Sequence, residues 1–325
     1  MKGMLRRPVP PRRDVATGAS GDPALNRRWA AQQLALEAAG LGAIAALRRA
    51  GIRPILLKGP VTTARLYPDT FRPYVDIDLI VPPDAYAQAV AVLAGLGFRA
   101  VAAGPVADSF VRPGDGAMID LHRTLRYVTA APADAWAVLD AHRAPFTLHG
   151  QEVEALDEGA FAFHLALHAA QGGWAKRKAW LDLGRGLGRL PAQTWAEAWA
   201  VARALGCVGP FVAALRCGGP AAGAVADGLD LPRWVPFMQH VLARRPAVGL
   251  RTVPAALRGE APGSLRRWLL PTPAERRRRL ALPDARGLLP GAPPPVRYAV
   301  FRLEQGVRAG HALAAAGGRR LVRRL

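Results

Sequence analysis

The segment Val75-Asp76-Ile77-Asp78-Leu79-Ile80-Val81 holds the acids on which chemistry is most readily built. On a strand, residues i and i+2 project to one face, so Asp76 and Asp78 stand side by side while Ile77, Leu79 and Val81 point into a core. Two carboxylates that close repel one another. A divalent cation relieves the repulsion, and hard oxygen donors suit Mg2+ or Mn2+ rather than zinc. A third acid occurs in the same setting at Asp120, within Met118-Ile119-Asp120-Leu121-His122. If that segment is the neighbouring strand, Asp76, Asp78 and Asp120 converge as metal ligands, the arrangement that in-line phosphoryl transfer on two metal ions uses. Asp120 would assist the metal or act as base. His122 shares the face of Asp120 by the same alternation and is a candidate for contacting substrate or orienting an acid.

Upstream, Leu57-Lys58-Gly59-Pro60-Val61-Thr62-Thr63 reads as a strand-to-helix turn. Unpaired N–H groups and the positive helix end suit a phosphate there. Gly59 allows close backbone approach, Lys58 and Arg72 offer positive charge, and Thr62 and Thr63 offer hydroxyls. Lys58 is one of only four lysines among 44 basic residues. Pro60 suits a first helical position and removes one N–H donor.

The elements that must position these residues follow from periodicity. Residues 1–23 are Arg/Pro/Gly-rich without apolar pattern and predict a disordered basic arm. Pro23 to Ala50 carries Leu, Ile and Trp at helical spacing and predicts one long helix. Between residues 51 and 122, strands are expected at Ile55–Lys58, Val75–Val81, Phe98–Ala102, Ser109–Arg112 and Ala117–His122. Helices are expected from Pro60 to Tyr67 and from Pro82 to Leu96. The fold class is α+β: a small mixed sheet with flanking helices over residues 24–130, followed by a mainly helical domain over 131–245 and a Pro/Arg-rich segment with a C-terminal helix over 246–325. Within the second domain, helical patterns run over Glu158–Leu190, Gln193–Leu205, Val208–Leu215 and Leu231–Ala243, and a short hairpin is expected at Phe146–Val153.

These residues in this order resemble the uncharacterised nucleotidyltransferase family of the DNA polymerase beta-like nucleotidyltransferase superfamily. The likeness rests on Lys58-Gly59, Arg72, the Asp76-Ile77-Asp78 strand, Gly97-Phe98 and Ile119-Asp120-Leu121-His122, and extends through Phe163–His168 and Trp180–Leu183. It departs at Pro60, where a small residue is usual. The resemblance implies metal-dependent transfer of a nucleoside monophosphate from an NTP such as ATP to an acceptor it does not identify: a small molecule, peptide, protein or RNA end. Asp76, Asp78 and Asp120 would be catalytic, and Lys58, Gly59, Thr62 and Arg72 would bind nucleotide. The competing class is a non-catalytic, basic nucleic-acid- or partner-binding protein on a degenerate version of the fold.

Composition narrows the field further. A chain of 325 residues with 51% hydrophobic content and a net charge of +20 is not wholly disordered. The middle, residues 51–150, holds nine basic and nine acidic residues, whereas residues 151–325 hold 26 and 12. The excess at the ends, including Arg319-Arg320 and Arg323-Arg324, makes nucleic acid a candidate partner through the basic C-terminal segment. Two cysteines exclude a disulfide framework. No apolar stretch is read as a membrane span and no secretory leader is evident, so a cytoplasmic location is expected. His164 and His168 share one helical face without a third ligand, and His168 is carried as a substrate contact rather than a metal ligand.

Overall fold

The computed structural model describes residues 23–242, with Pro293 and Val296 beyond them. The expected N-terminal arm, the run Glu275–Arg279 and the arginine pairs at the C-terminus lie outside the described residues. Two compact units divide the chain: residues up to Arg123 together with Pro145–Ala155, and Thr124–Ala144 together with residues from Leu156 onward.

The first unit begins with α1 (Pro23–Arg49), β1 (Ile55–Leu56), α2 (Pro60–Leu66), β2 (Ile77–Ile80) and α3 (Tyr86–Gly95). Three strands follow, β3 (Arg99–Ala103), β4 (Ala107–Val111) and β5 (Met118–His122). After α4 (Pro132–Ala141) come β6 (Arg143–Leu148) and β7 (Gln151–Leu156), and the seven strands form one sheet in the order β3-β4-β5-β2-β1-β7-β6. The sheet is mixed: β2 runs antiparallel to β1 and parallel to β5, and β7 runs parallel to β1. The hairpin expected at Phe146–Val153 thus belongs to this sheet, because Ala155 pairs with Leu56 and completes the outer side of the two-residue strand β1. Its turn puts His149 at φ +50 and Gly150 at φ +73, the left-handed conformation that a tight hairpin demands.

Strand β2 is buried on both faces. Ile77 and Leu79 were expected inside, but Asp78 and Ile80 are equally covered, so this is a central strand and not a half-solvated one. It is also shorter than the expected Val75–Val81, and Asp76 precedes it. Helix α1 corrects the reading that no stretch approaches a membrane span: Arg27–Arg49 is long and apolar enough to cross one. Nearly half of that apolar window is buried, with Ala43, Ile44 and Leu47 in the core and α3 and β2 as packing partners.

The second unit is built on α5 (Glu158–Gly172), which is buried almost all round and packed by α6 (Arg177–Arg189), α7 (Ala192–Ala204) and α8 (Val208–Cys217). Asp157 caps α5 by accepting from the Ala160 amide, and Trp195, Phe161, Phe163 and Phe211 fill the core. Continuous helix from Glu158 to Leu190 is interrupted where Gly173 takes φ +54 after Gly172 and opens a single 3-10 turn. There Trp174 is exposed and stacks on Trp180, with ring centroids 4.5 Å apart. Two helices went unread, α4 and α9 (Pro220–Gly228), both short, alanine-rich and weak in apolar periodicity. In turn, helix expected over Leu231–Ala243 reduces to α10 (Met238–Leu242), because Pro232 and Pro236 each remove an N–H donor ahead of it.

Cys207 lies in this core and donates its thiol to the Tyr127 carbonyl at 3.2 Å. Burial pushes its pKa up to about 12 from 9.0. The folded state therefore holds the thiol proton more tightly than the unfolded chain. The resulting stabilisation is complete below about pH 9 and is lost as pH climbs toward 12. In the native protein at pH 8, iodoacetamide is expected to leave Cys207 unmodified by peptide mass spectrometry, and to label it only after denaturation. Rapid native labelling would contradict the burial.

Candidate active site

The site forms where three sheet segments meet. Strand β1 ends at Leu56, and the Leu57 amide continues the ladder by donating to the Asp78 carbonyl at 3.0 Å, which delivers Lys58 to the flank of β2. On the other flank, the parallel register pairs Ile77 with Ile119, Asp78 with Asp120 and Ile80 with His122. Residues in register on neighbouring strands share a face. Asp78 and Asp120 are therefore side by side, and His122, two residues on, lies diagonally across from Asp78.

Side-chain contacts tighten this group. Lys58 Nζ is 2.8 Å from Asp78 Oδ1, and His122 Nε2 reaches the same oxygen at 3.1 Å. Asp78 is 0% exposed, so its charge has left water. That burial would drive the carboxyl pKa upward, but the Lys58 ammonium and the His122 hydrogen bond outweigh it and hold Asp78 well below the usual carboxylate range. Lys58 shows the reciprocal balance. Desolvation favours its neutral form, yet the charges of Asp78, Asp76 and Asp120 raise its pKa above 10.5.

Three buried polar atoms at this point have no hydrogen-bond partner: Asp78 Oδ2, Asp120 Oδ1 and His122 Nδ1. Unsatisfied buried acceptors cost about 1–3 kcal/mol each, so three together mark a place where something charged is received. Among the described residues, Asp78, Asp120 and His122 are the group of acids and histidines able to hold a cation, with one donor atom from each within 4.8 Å of the others. The donor set, two carboxylates and one imidazole, fits a divalent cation. Asp76 stands one residue before β2 and is not in that group, although its charge acts on Lys58.

The turn after Lys58 is shaped by a second layer. Gly59 caps α2 at φ +71, and a Cβ there would meet the Tyr74 ring at 3.3 Å and the Asp76 carbonyl at 3.5 Å. Only glycine combines that dihedral with that clearance. Tyr74 is fixed in turn, donating its hydroxyl to Glu37 Oε1 on α1, while Glu37 Oε2 contacts His149 Nε2 at 2.5 Å. Glu37 and Tyr74 escaped the sequence reading. The available signal was that Glu37 is the lone acid of α1. Thr62 is buried in the first turn of α2, Thr63 donates to the Arg72 carbonyl at 3.4 Å, and Arg72 is buried with its guanidinium 5.7 Å from the Tyr67 ring centroid. His168 belongs to the second unit, on α5, stacked on His164 with ring centroids 6.3 Å apart.

A mixed sheet that aligns two acids from parallel strands beside a lysine-glycine turn is the architecture of a nucleotidyl-transferring enzyme. The sequence model of an uncharacterised nucleotidyltransferase family matches residues 25–218, and the chain belongs to that family, within the DNA polymerase beta-like group that the motifs resembled. No curated protein matches the chain. Among solved structures it is similar to the antibiotic-resistance factor ANT(2'')-Ia in solution, at 17% identity and TM-score 0.42 over 53% of this chain and 92% of that one. A crystal structure of ANT(2'')-Ia in complex with adenylyl-2''-tobramycin is similar at 15% identity and TM-score 0.41, over 51% and 97%. The lincosamide antibiotic adenylyltransferase LnuA, lincomycin-bound, follows at 13% identity and TM-score 0.31, over 43% and 89%. The likeness to each is partial.

Proposed function

We propose that this enzyme transfers a nucleoside monophosphate from an NTP to an acceptor hydroxyl or comparable nucleophile, with Asp76, Asp78 and Asp120 as its catalytic acids. The observation that carries the reading is the in-register pairing of Asp78 with Asp120, each with a buried oxygen left unpartnered. Asp78 and Asp120, with Asp76 beside them, would hold Mg2+ or Mn2+. A divalent cation bound there neutralises triphosphate charge and acidifies the attacking hydroxyl.

The chain's own residues do the remaining work. Lys58, already charged and aimed at Asp78, supplies a positive charge to the triphosphate. Gly59 lets the backbone approach a phosphate closely, and Tyr74 and Glu37 hold it in place. Thr62 and Arg72 line the same turn as nucleotide contacts, and His168 is retained as an acceptor-side contact. A bond forms between the acceptor oxygen and the α-phosphorus as the bridge to the β-phosphate breaks. Pyrophosphate leaves, and the acceptor proton passes to Asp120 or solvent. The catalytic domain in this reading is residues 24–130, joined by the hairpin strands, while residues 131–245 form the helical domain. Use of an NTP agrees with a cytoplasmic location.

Incubation of the full chain with each labelled NTP and Mg2+ or Mn2+, followed by mass spectrometry of candidate small molecules, peptides, proteins and RNA ends, is expected to reveal a nucleotide-sized mass increase. The enzyme itself belongs among the acceptors tested. The same adduct in Asp76→Ala and Asp78→Ala variants would refute the assignment. Salt-dependent nucleic-acid binding without any adduct would favour a basic binding protein instead.

A further inference from the structure

We propose that His122 is itself a ligand of the cation, so that the centre is a mixed set of Asp78, Asp120 and His122 that favours Mn2+ over Mg2+. The inference deepens the transfer reading above, from which it takes the presence of a cation.

Geometry singles out His122 from its neighbours. It lies on the face of Asp120 by strand alternation and diagonally across from Asp78 by register, and it completes the group of three donors within 4.8 Å. Its two ring nitrogens are in different situations. Nε2 meets Asp78 Oδ1, a carboxylate oxygen, and so acts as the donor. In the neutral ring the lone pair then resides on Nδ1, which is buried and meets no donor. A histidine serving only to orient Asp78 would need nothing at Nδ1 beyond solvent or a backbone N–H. Here a desolvated acceptor accompanies two desolvated carboxylate oxygens, Asp78 Oδ2 and Asp120 Oδ1, at one place. Ligand-binding histidines have this pattern, in which one nitrogen is held by a carboxylate and the other offered to the metal.

The consequence is selectivity. Carboxylate, carbonyl and water oxygens suit Mg2+, which keeps several waters and gains little from imidazole, whereas imidazole is favourable for first-row transition ions. Asp76, whose carboxylate would have completed an all-oxygen set, is outside the group of three. His122 therefore replaces an oxygen ligand with a nitrogen one.

The test is pulsed electron paramagnetic resonance on the full chain with Mn2+ alone. The expected result is nitrogen modulation of the bound Mn2+ that changes pattern when the histidines carry nitrogen-15. This measurement needs no variant and so does not depend on one folding. In His122→Asp the nitrogen signal should vanish while Mn2+ still binds, and the preference should move toward Mg2+. In His122→Ala, Mn2+ affinity should fall about tenfold or more, and Mg2+ affinity less. Bound Mn2+ without nitrogen coupling, in protein that still transfers nucleotide, overturns the inference and leaves the transfer reading standing. Nitrogen coupling that persists in His122→Asp overturns it as well. Absence of both Mn2+ binding and nucleotide transfer overturns the two together.

Discussion

Asp78→Asn and Asp120→Asn are expected to lower nucleotide transfer by about a thousandfold or more each, with the fold retained. A carboxylate that helps hold charge on a transferring phosphate contributes several kcal/mol, and each 1.36 kcal/mol is a tenfold change in rate. The substitutions are nearly isosteric. At Asp78 the amide can still accept from Lys58 and His122, so a circular-dichroism melt should show a folded protein. Asp76→Asn discriminates between the acids. Asp76 is outside the group of three donors but its charge acts on Lys58, so its loss should weaken NTP binding as well as turnover. Transfer at wild-type rates in both Asp78→Asn and Asp120→Asn would remove the paired acids from the mechanism.

The second large effect is on stability. Lys58→Met leaves Asp78 as a fully buried carboxylate with His122 as its remaining side-chain contact, and should cost about 3 kcal/mol at pH 7 in chelator-treated protein. The figure sits at the low end for a broken buried pair because the Lys58 side chain is 24% exposed. Its pH dependence has a definite sign. In the wild type Asp78 titrates below its ordinary 3.8 despite burial, so its contribution is present above about pH 4 and is lost only as pH falls further. Without Lys58, burial is opposed only by His122 and Asp78 takes up its proton at higher pH. The deficit measured by urea unfolding should therefore be largest near neutrality and shrink toward pH 4. The double variant Asp78→Asn with Lys58→Met should recover most of the stability while remaining inactive. A deficit independent of pH, or none at all, would show that the ion pair does not stabilise the fold.

The alternation in Val75–Val81 and Met118–His122 was enough to place Asp76, Asp78, Asp120 and His122 on strands and to pick out the Lys58-Gly59 turn. Hydrophobic periodicity also located α1, α2, α3, α5 and α7 within a few residues. Such signals are local: side-chain direction in a strand or helix is set by the residue's own backbone and its near neighbours. Where the pattern was diluted, as in the alanine-rich α4 and α9, or overridden by the Gly172-Gly173 break, the reading lost the element or its end.

What the sequence by itself determined, then, was the chemistry on offer: acids at strand spacing, a lysine and a glycine at a turn, and a histidine two residues beyond the third acid. Only the tertiary structure decided which of them meet. Asp78 and His122 are 44 residues apart, and nothing between them dictates that β5 joins β2 in parallel, with Asp78 level with Asp120. The same holds for β7 beside β1 and for Glu37 beneath Tyr74. Pairings of this kind are fixed by which faces can be buried together after long loops have closed. That burial is also what turned Asp78 from an acid expected beside solvent into a desolvated anion held by Lys58 and His122.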